Sequence, residues 1–212
     1  MSGTEHERSQ SLSELADLYK EIQVCQKCVL SQGRTHAVPG EGPEDADIMF
    51  IGEGPGFHED RQGRPFVGAA GNYLEELLEK IHIKREEVYI TNVVKCRPPG
   101  NRDPQAAEID ACRPYLDQQI ALIRPRLIVT LGRFSMQRYF PSASISRIHG
   151  QPKRVGSVIY YPMFHPAAAL HQPRWRSLLE EDIVKIPDLL TKLDEIDEEE
   201  PEIPQAEQLS LF

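Results

Sequence analysis

The stretch Asp47–Gly71, DIMFIGEGPGFHEDRQGRPFVGAAG, constrains this chain more than any other. Ile48-Met49-Phe50-Ile51 is an unbroken apolar run, long enough for a buried strand and too short for a helix. Gly52-Glu53-Gly54-Pro55-Gly56 follows, and three glycines with a proline in five residues force a sharp turn. After Glu59, Asp60 and Gly63–Gly68 comes helix-forming Ala69–Lys80. In open α/β sheets, ligands bind beyond the carboxyl ends of the strands. A turn of glycines and carboxylates at that edge is a candidate site.

The rest of the chain repeats the alternation. Ser11–Val24 reads as an amphipathic helix, with Leu12, Leu15, Leu18, Tyr19 and Ile22 at helical spacing and Ser11 or Ser13 as cap. Val88–Val94, Arg126–Gly132 and Val158–Tyr161 read as further strands. Glu108–Ile123 and Arg174–Asp194 read as helices, and Lys95–Pro104, with three prolines and a glycine, as a loop. Strands alternating with helices imply parallel βαβ units in a three-layer α/β domain. In such a sheet Glu53, Asn92 and His165 share one edge.

Net charge argues against nucleic acid only if it is spread evenly. Residues 188–212 hold nine acids against Lys192, −8 of the chain's −9, so the first 187 residues stand at −1. A near-neutral body is free to carry a basic groove. No apolar run reaches membrane-spanning length and the first ten residues lack a signal-peptide core, so a soluble, cytoplasmic protein is expected. Residues 195–207 are too acidic to bury a core and read as a disordered tether, and residues 1–10 as a flexible N-terminus. The folded domain is thus expected over 11–194.

The four cysteines are Cys25, Cys28, Cys96 and Cys112. Without a secretion signal, disulfides are the poorer use for them. The C-x2-C spacing of Cys25 and Cys28 aims two thiolates at one centre, and Cys96 and Cys112 are free to converge on it. Four thiolates suit zinc or an iron–sulfur cluster, and spacing does not separate these.

Taken together, Cys25-x2-Cys28, GEGPG with Glu59-Asp60, GRPFVGAAG, YITNVVKCRPPGNRDP, the helix bearing Cys112 and HPAAAL resemble the iron–sulfur branch (family 4) of the uracil-DNA glycosylase superfamily. The resemblance runs from about residue 11 to 190. It implies a four-stranded parallel sheet between helices, a [4Fe–4S] cluster on the four cysteines, and hydrolysis of the N-glycosidic bond of deoxyuridine as the first step of base excision repair. It also implies roles. Phe66 stacks on the flipped uracil, Asn92 reads its N3–H and O4, and His165 bonds O2 as negative charge builds there. Gly54 stands where the best-known family of the superfamily has a water-positioning aspartate. Glu53 and Glu59 are the nearby carboxylates, Glu53 lining the base and water sites and Glu59 lying near C5 of the base. Asn101 is a candidate for orienting a carboxylate or water.

Leu170 resembles the side chain that fills the gap left by the flipped base. His171, Arg174 and Arg102 are candidates for phosphate contact, as are Arg147 and His149 in the loop before Gly150. The terminal Gln208-Leu209-Ser210-Leu211-Phe212 resembles the peptide by which bacterial repair proteins bind the sliding clamp. Gln208 would enter a polar subsite, and Leu209, Leu211 and Phe212 an apolar cleft. A bacterial, nucleoid-associated monomer follows. Two rivals stand beside this reading: a uracil-DNA-capturing protein without turnover, and a glycosylase for another deaminated base such as hypoxanthine.

Overall fold

The computed structural model describes residues 14–170, 172–193 and 196. The termini, His171 and the clamp-like peptide Gln208–Phe212 lie outside the described residues. So does the serine expected to cap the first helix.

Helix α1 (14–24) leads into the Cys25–Cys28 segment. Strand β1 (Ile48–Gly52) is followed by the short helix α2 (Phe57–Gln62) and then α3 (Ala69–Lys80). Next come β2 (Tyr89–Asn92), α4 (Ala106–Ile123), β3 (Leu127–Leu131), α5 (Arg133–Gln137) and α6 (Ile145–Ile148). The hairpin β4 (Lys153–Val155) and β5 (Val158–Met163) precedes α7 (Pro166–Ala169), α8 (Pro173–Ile183) and α9 (Ile186–Thr191).

The sheet order is β2-β1-β3-β5-β4, with β2, β1, β3 and β5 parallel and β4 antiparallel to β5. The four expected parallel strands are present, but the sheet is five-stranded and mixed. The extra strand comes from Gly156-Ser157, a two-residue hairpin loop whose first residue has φ +62°. Glycine takes that conformation without steric cost and so folds Lys153–Val155 back onto β5.

Side-chain alternation along β1 explains the layers. Ile48 and Phe50 face α3, α8 and α9 (Leu74, Leu77, Leu179, Ile183, Ile186), while Met49 and Ile51 face α1, α4 and α5 (Leu18, Ile22, Leu116, Met136). Burial on both faces is why the strand is apolar throughout. Each buried Leu, Ile or Phe contributes about 1.5–3 kcal/mol of transfer free energy.

The single helix expected over Arg174–Asp194 is two helices. Pro187 has no N–H to return to the Ile183 carbonyl, so the turn at Val184-Lys185 tightens and the Lys185 N–H bonds to the Asp182 carbonyl at 3.2 Å. Among the described residues no helix is long and apolar enough to cross a membrane.

Candidate active site

The register Gly52↔Asn92 brings the ends of β1 and β2 together, and β5 delivers His165 two residues past its last residue, Met163. These ends open into a cleft of about 480 Å³ lined by Glu53, Phe66, Asn92 and His165, with Glu59 and Leu170 among its other walls. Glycines make the approach possible. A Cβ on Gly52 would stand 2.4 Å from Asn92 Oδ1 and 2.7 Å from the Phe66 ring, and one on Gly54 would stand 2.6 Å from Val94 Cγ2.

Asn92 is 2% exposed, and its side-chain amide makes no hydrogen bond with the described residues. Its carbonyl is tied down instead, accepting from Lys95 Nζ at 2.8 Å. The same nitrogen bonds Thr91 Oγ1 at 2.7 Å and Gln119 Oε1 at 2.6 Å, while burial pushes its pKa down to about 7. The strand end is rigid while the amide faces the cleft with its donors and acceptor available.

His165 caps α7: its Nδ1 accepts the Ala167 N–H at 3.1 Å. Nδ1 is thereby the unprotonated nitrogen and Nε2 carries the hydrogen. Burial pushes the imidazole down to about 4 against the opposing pull of Glu59, so it is neutral at physiological pH. The ring stacks on Phe66 with centroids 5.6 Å apart and planes at 26°. The cleft thus holds a neutral N–H donor beside an aromatic face.

Glu53 lies just beyond β1. Burial first, and Asp103 second, push its carboxyl up to about 7 against the influence of Arg133. Glu59 on α2 is engaged differently. Its Oε1 accepts the Val67 N–H at 3.2 Å and the Gly68 N–H at 3.0 Å, which fastens the Phe66 loop to the turn. Phe66 itself has φ +50°. For a residue with a side chain that conformation costs about 1–2 kcal/mol. It persists only where the surroundings over-determine it.

Other expected contacts are distributed unevenly. Asn101 lines the cleft, its Oδ1 accepting from Arg97 Nε at 2.7 Å. Arg102 also lines it, but its fork is spent on Glu108 at 2.6 and 2.9 Å. Leu170 is 45% exposed at the rim. Arg174 is exposed and lies over the Trp175 ring, and Arg147 is exposed on α6, away from the cleft lining. His149 is turned inward, with Nδ1 2.7 Å from Asp182 Oδ2 and its ring against Phe164. That side chain belongs to the α8 contact, where a Cβ on Gly150 would also strike Asp182.

The four cysteines line one enclosed cavity with Arg34, Lys95 and Tyr115. Three of the sulfurs face N–H donors: Cys25 from Lys27 N at 3.5 Å, Cys96 from Arg34 Nη1 at 3.1 Å and Cys112 from Lys95 N at 3.4 Å. Such donors suit thiolate sulfur in a metal centre. Among the described residues no three Cys, His, Asp or Glu converge closely enough for a single ion.

The sequence matches the model of the uracil DNA glycosylase superfamily over residues 39–185. A protein of Sulfurisphaera tokodaii named type-4 uracil-DNA glycosylase is 49% identical, covering 84% of this chain and 86% of its own. The chain belongs to the uracil-DNA glycosylase superfamily, in its type-4 branch. Proteins with the same name from Archaeoglobus fulgidus and Thermotoga maritima are 46% and 43% identical, each covered over 96% of its length. In this superfamily member the matched span takes in the cleft from the glycine turn to Leu170, together with Cys96 and Cys112, and begins after Cys25 and Cys28.

Proposed function

We propose that this protein is a monofunctional uracil-DNA glycosylase that breaks the bond between C1′ of deoxyuridine and N1 of uracil, leaving an abasic site. The observation that carries the reading is one cleft joining an aromatic face, an unengaged amide and a neutral imidazole donor. A base in a duplex is out of reach, so the nucleotide is first flipped from the stack. Phe66 then receives the uracil ring. The Asn92 amide accepts from N3–H and donates to O4, a pattern that cytosine inverts.

As the bond breaks, the electron pair leaves with uracil and negative charge gathers on O2. His165 Nε2–H donates to that oxygen; being neutral already, it stabilises the anion without transferring a proton. Water adds to C1′ of the oxocarbenium-like sugar and passes a proton to the Glu53 carboxylate, from which it goes on to the uracil anion or to solvent. Glu53, at the mouth of the glycine turn, is the carboxylate suited to orient that water, and Glu59 bounds the pocket near C5. Leu170 enters the vacated stack, and the exposed Arg174 and Arg147, with His171, are the phosphate contacts we favour.

The donor set fits a [4Fe–4S] cluster on Cys25, Cys28, Cys96 and Cys112, with four sulfurs around one cavity and N–H donors on three; the likeness to the iron–sulfur branch is what favours it over zinc. The cluster's contribution is structural, since base excision transfers no electrons. In this reading a monomer suffices, because one chain supplies the whole cleft.

The test is release of free base from single- and double-stranded uracil oligonucleotides by anaerobically purified protein. Uracil release with an alkali-labile abasic site is expected. Tight binding without release overturns the enzyme in favour of a capture protein, and release of hypoxanthine alone overturns the substrate.

Glu53 makes the rate pH-dependent. Because its carboxyl is pushed up to about 7, the carboxylate fraction, and kcat with it, rises as pH increases through 7. Asp103→Asn removes one of the charges that raise it and moves the midpoint to lower pH. Glu53→Gln flattens the limb; a limb unchanged in Glu53→Gln sinks the assignment.

The tail supports a partner. We propose that Gln208, Leu209, Leu211 and Phe212 bind a bacterial sliding clamp, with the acidic segment as tether, keeping the enzyme near newly replicated DNA in the cytoplasm. Deleting residues 208–212 is expected to abolish clamp binding in a pull-down or by calorimetry while excision from short oligonucleotides is unchanged. Undiminished clamp affinity would sink the idea.

A further inference from the structure

Phe66 keeps a left-handed backbone in the middle of the base pocket; Glu59 holds the two N–H groups that follow it, and a second grip comes from outside the pocket. Arg85 opens the short 3-10 turn Arg85–Glu87, nineteen residues further along the chain, and does not line the cleft. Its Nη1 donates to the Phe66 carbonyl at 3.0 Å, and its Nη2 donates to the Pro65 carbonyl. Nη1 also reaches Glu75 Oε1 at 3.3 Å, and Nε lies 3.9 Å from Glu41 Oε1. Glu41 is itself held by Arg64 Nε and Nη2, at 2.8 and 2.6 Å. The Arg85 side chain is only 15% exposed. A planar cation, oriented by two carboxylates, therefore grips two consecutive carbonyls around the strained residue.

The other side of the loop is shaped to accept this. A Cβ on Gly71 would stand 1.9 Å from the Phe66 carbonyl oxygen, so only glycine lets α3 pass beneath it. Gly52 gives the ring the same freedom at its edge. Neither glycine drives the loop into the left-handed region; they only leave room. The directed hold comes from both ends of the loop: Glu59 takes the Val67 and Gly68 N–H groups, and the guanidinium takes the Pro65 and Phe66 carbonyls.

We infer that Arg85 is a positioning residue of the base pocket: it holds the Phe66 backbone left-handed, so that the ring lies where the flipped base stacks. The inference rests on the uracil-excision reading above. Without the fork, Phe66 relaxes toward the extended region and its ring leaves the floor of the pocket. Arg85 touches neither base nor sugar, and its whole effect on the reaction passes through Phe66.

A double-mutant cycle separates this from a general contribution to folding. On a single-stranded uracil oligonucleotide, Arg85→Gln is expected to lower kcat/KM about 100-fold, the scale of a misplaced pocket group. Phe66→Ala is expected to cost a similar factor. The double variant should be no worse than Phe66→Ala alone, because the lost ring no longer needs placing. Losses that multiply would overturn the inference, as would an Arg85→Gln enzyme with wild-type kcat/KM.

Arg85→Lys keeps the charge between Glu41 and Glu75 but loses the fork, and is expected to retain an intermediate kcat/KM, about 10-fold down. Should Arg85→Gln fail to fold, the same cycle with Arg85→Lys decides by the same criterion. Wild-type protein that releases no uracil overturns the functional reading and this inference with it; release by the wild type with multiplying losses overturns the inference alone.

Discussion

Replacing His165 with alanine is expected to lower kcat for uracil release about 100- to 1000-fold, the cost of one donor aimed at a developing anion. KM for DNA should change little, because the Nε2–H bond strengthens only as charge reaches O2. Single-turnover kinetics on a uracil oligonucleotide measure it. A variant that loses affinity but keeps its rate would make His165 a binding residue only. The pH behaviour adds a second check. The imidazole is held near 4 by burial, below its ordinary value of about 6.5, so it contributes no ionisation to the rate between pH 5 and 8. The unfolded chain binds that proton more tightly than the folded one. Stability is therefore lost as pH falls from about 6.5 toward 4, and His165→Ala should be less acid-sensitive in thermal unfolding.

Asn92→Asp is expected to reduce uracil excision by about three to four orders of magnitude, because a site built to pair polar groups rejects a mismatch strongly. The aspartate cannot donate to O4, and its charge opposes the leaving uracil anion. It accepts from the cytosine N4 amine, so the ratio of uracil to cytosine release should narrow. The fold should be spared, since the amide makes no hydrogen bond with the described residues, while the Asn92 carbonyl keeps its bond to Lys95. Matched oligonucleotides carrying uracil or cytosine, assayed beside a melting curve, give both readings. Intact uracil excision in Asn92→Asp would mean that another group reads the base.

The placement of these two residues at one edge of the sheet was legible in the chain because its signals are local. Asn92 ends an apolar strand, His165-Pro166 follows another, and a parallel sheet brings such ends to one edge. Arg85 was not legible. It sits in Lys84-Arg85-Glu86-Glu87, a run that reads as a solvated surface, and nothing within several residues links it to Phe66. The partners of His149 and Arg102 were not legible either. Each is a polar side chain near a site segment, yet Asp182 takes the first and Glu108 the second.

The short edge strand had a signal in Gly156-Ser157 between two β-prone runs, and Pro187 marked the break in the last helix. Both are local breakers, whose effects depend on a few neighbouring residues.

The sequence by itself determined the alternation of strands and helices, the glycine turn, the four thiols and the side chains at the strand ends. Those follow from backbone sterics and apolar spacing within each segment. Only the tertiary structure decided the proton position on His165, the raised carboxyl of Glu53, the fork of Arg85 beneath Phe66, and which arginines are already spent on carboxylates. Each of those depends on desolvation or on a partner brought in by chain crossings, and neither is encoded at any one position.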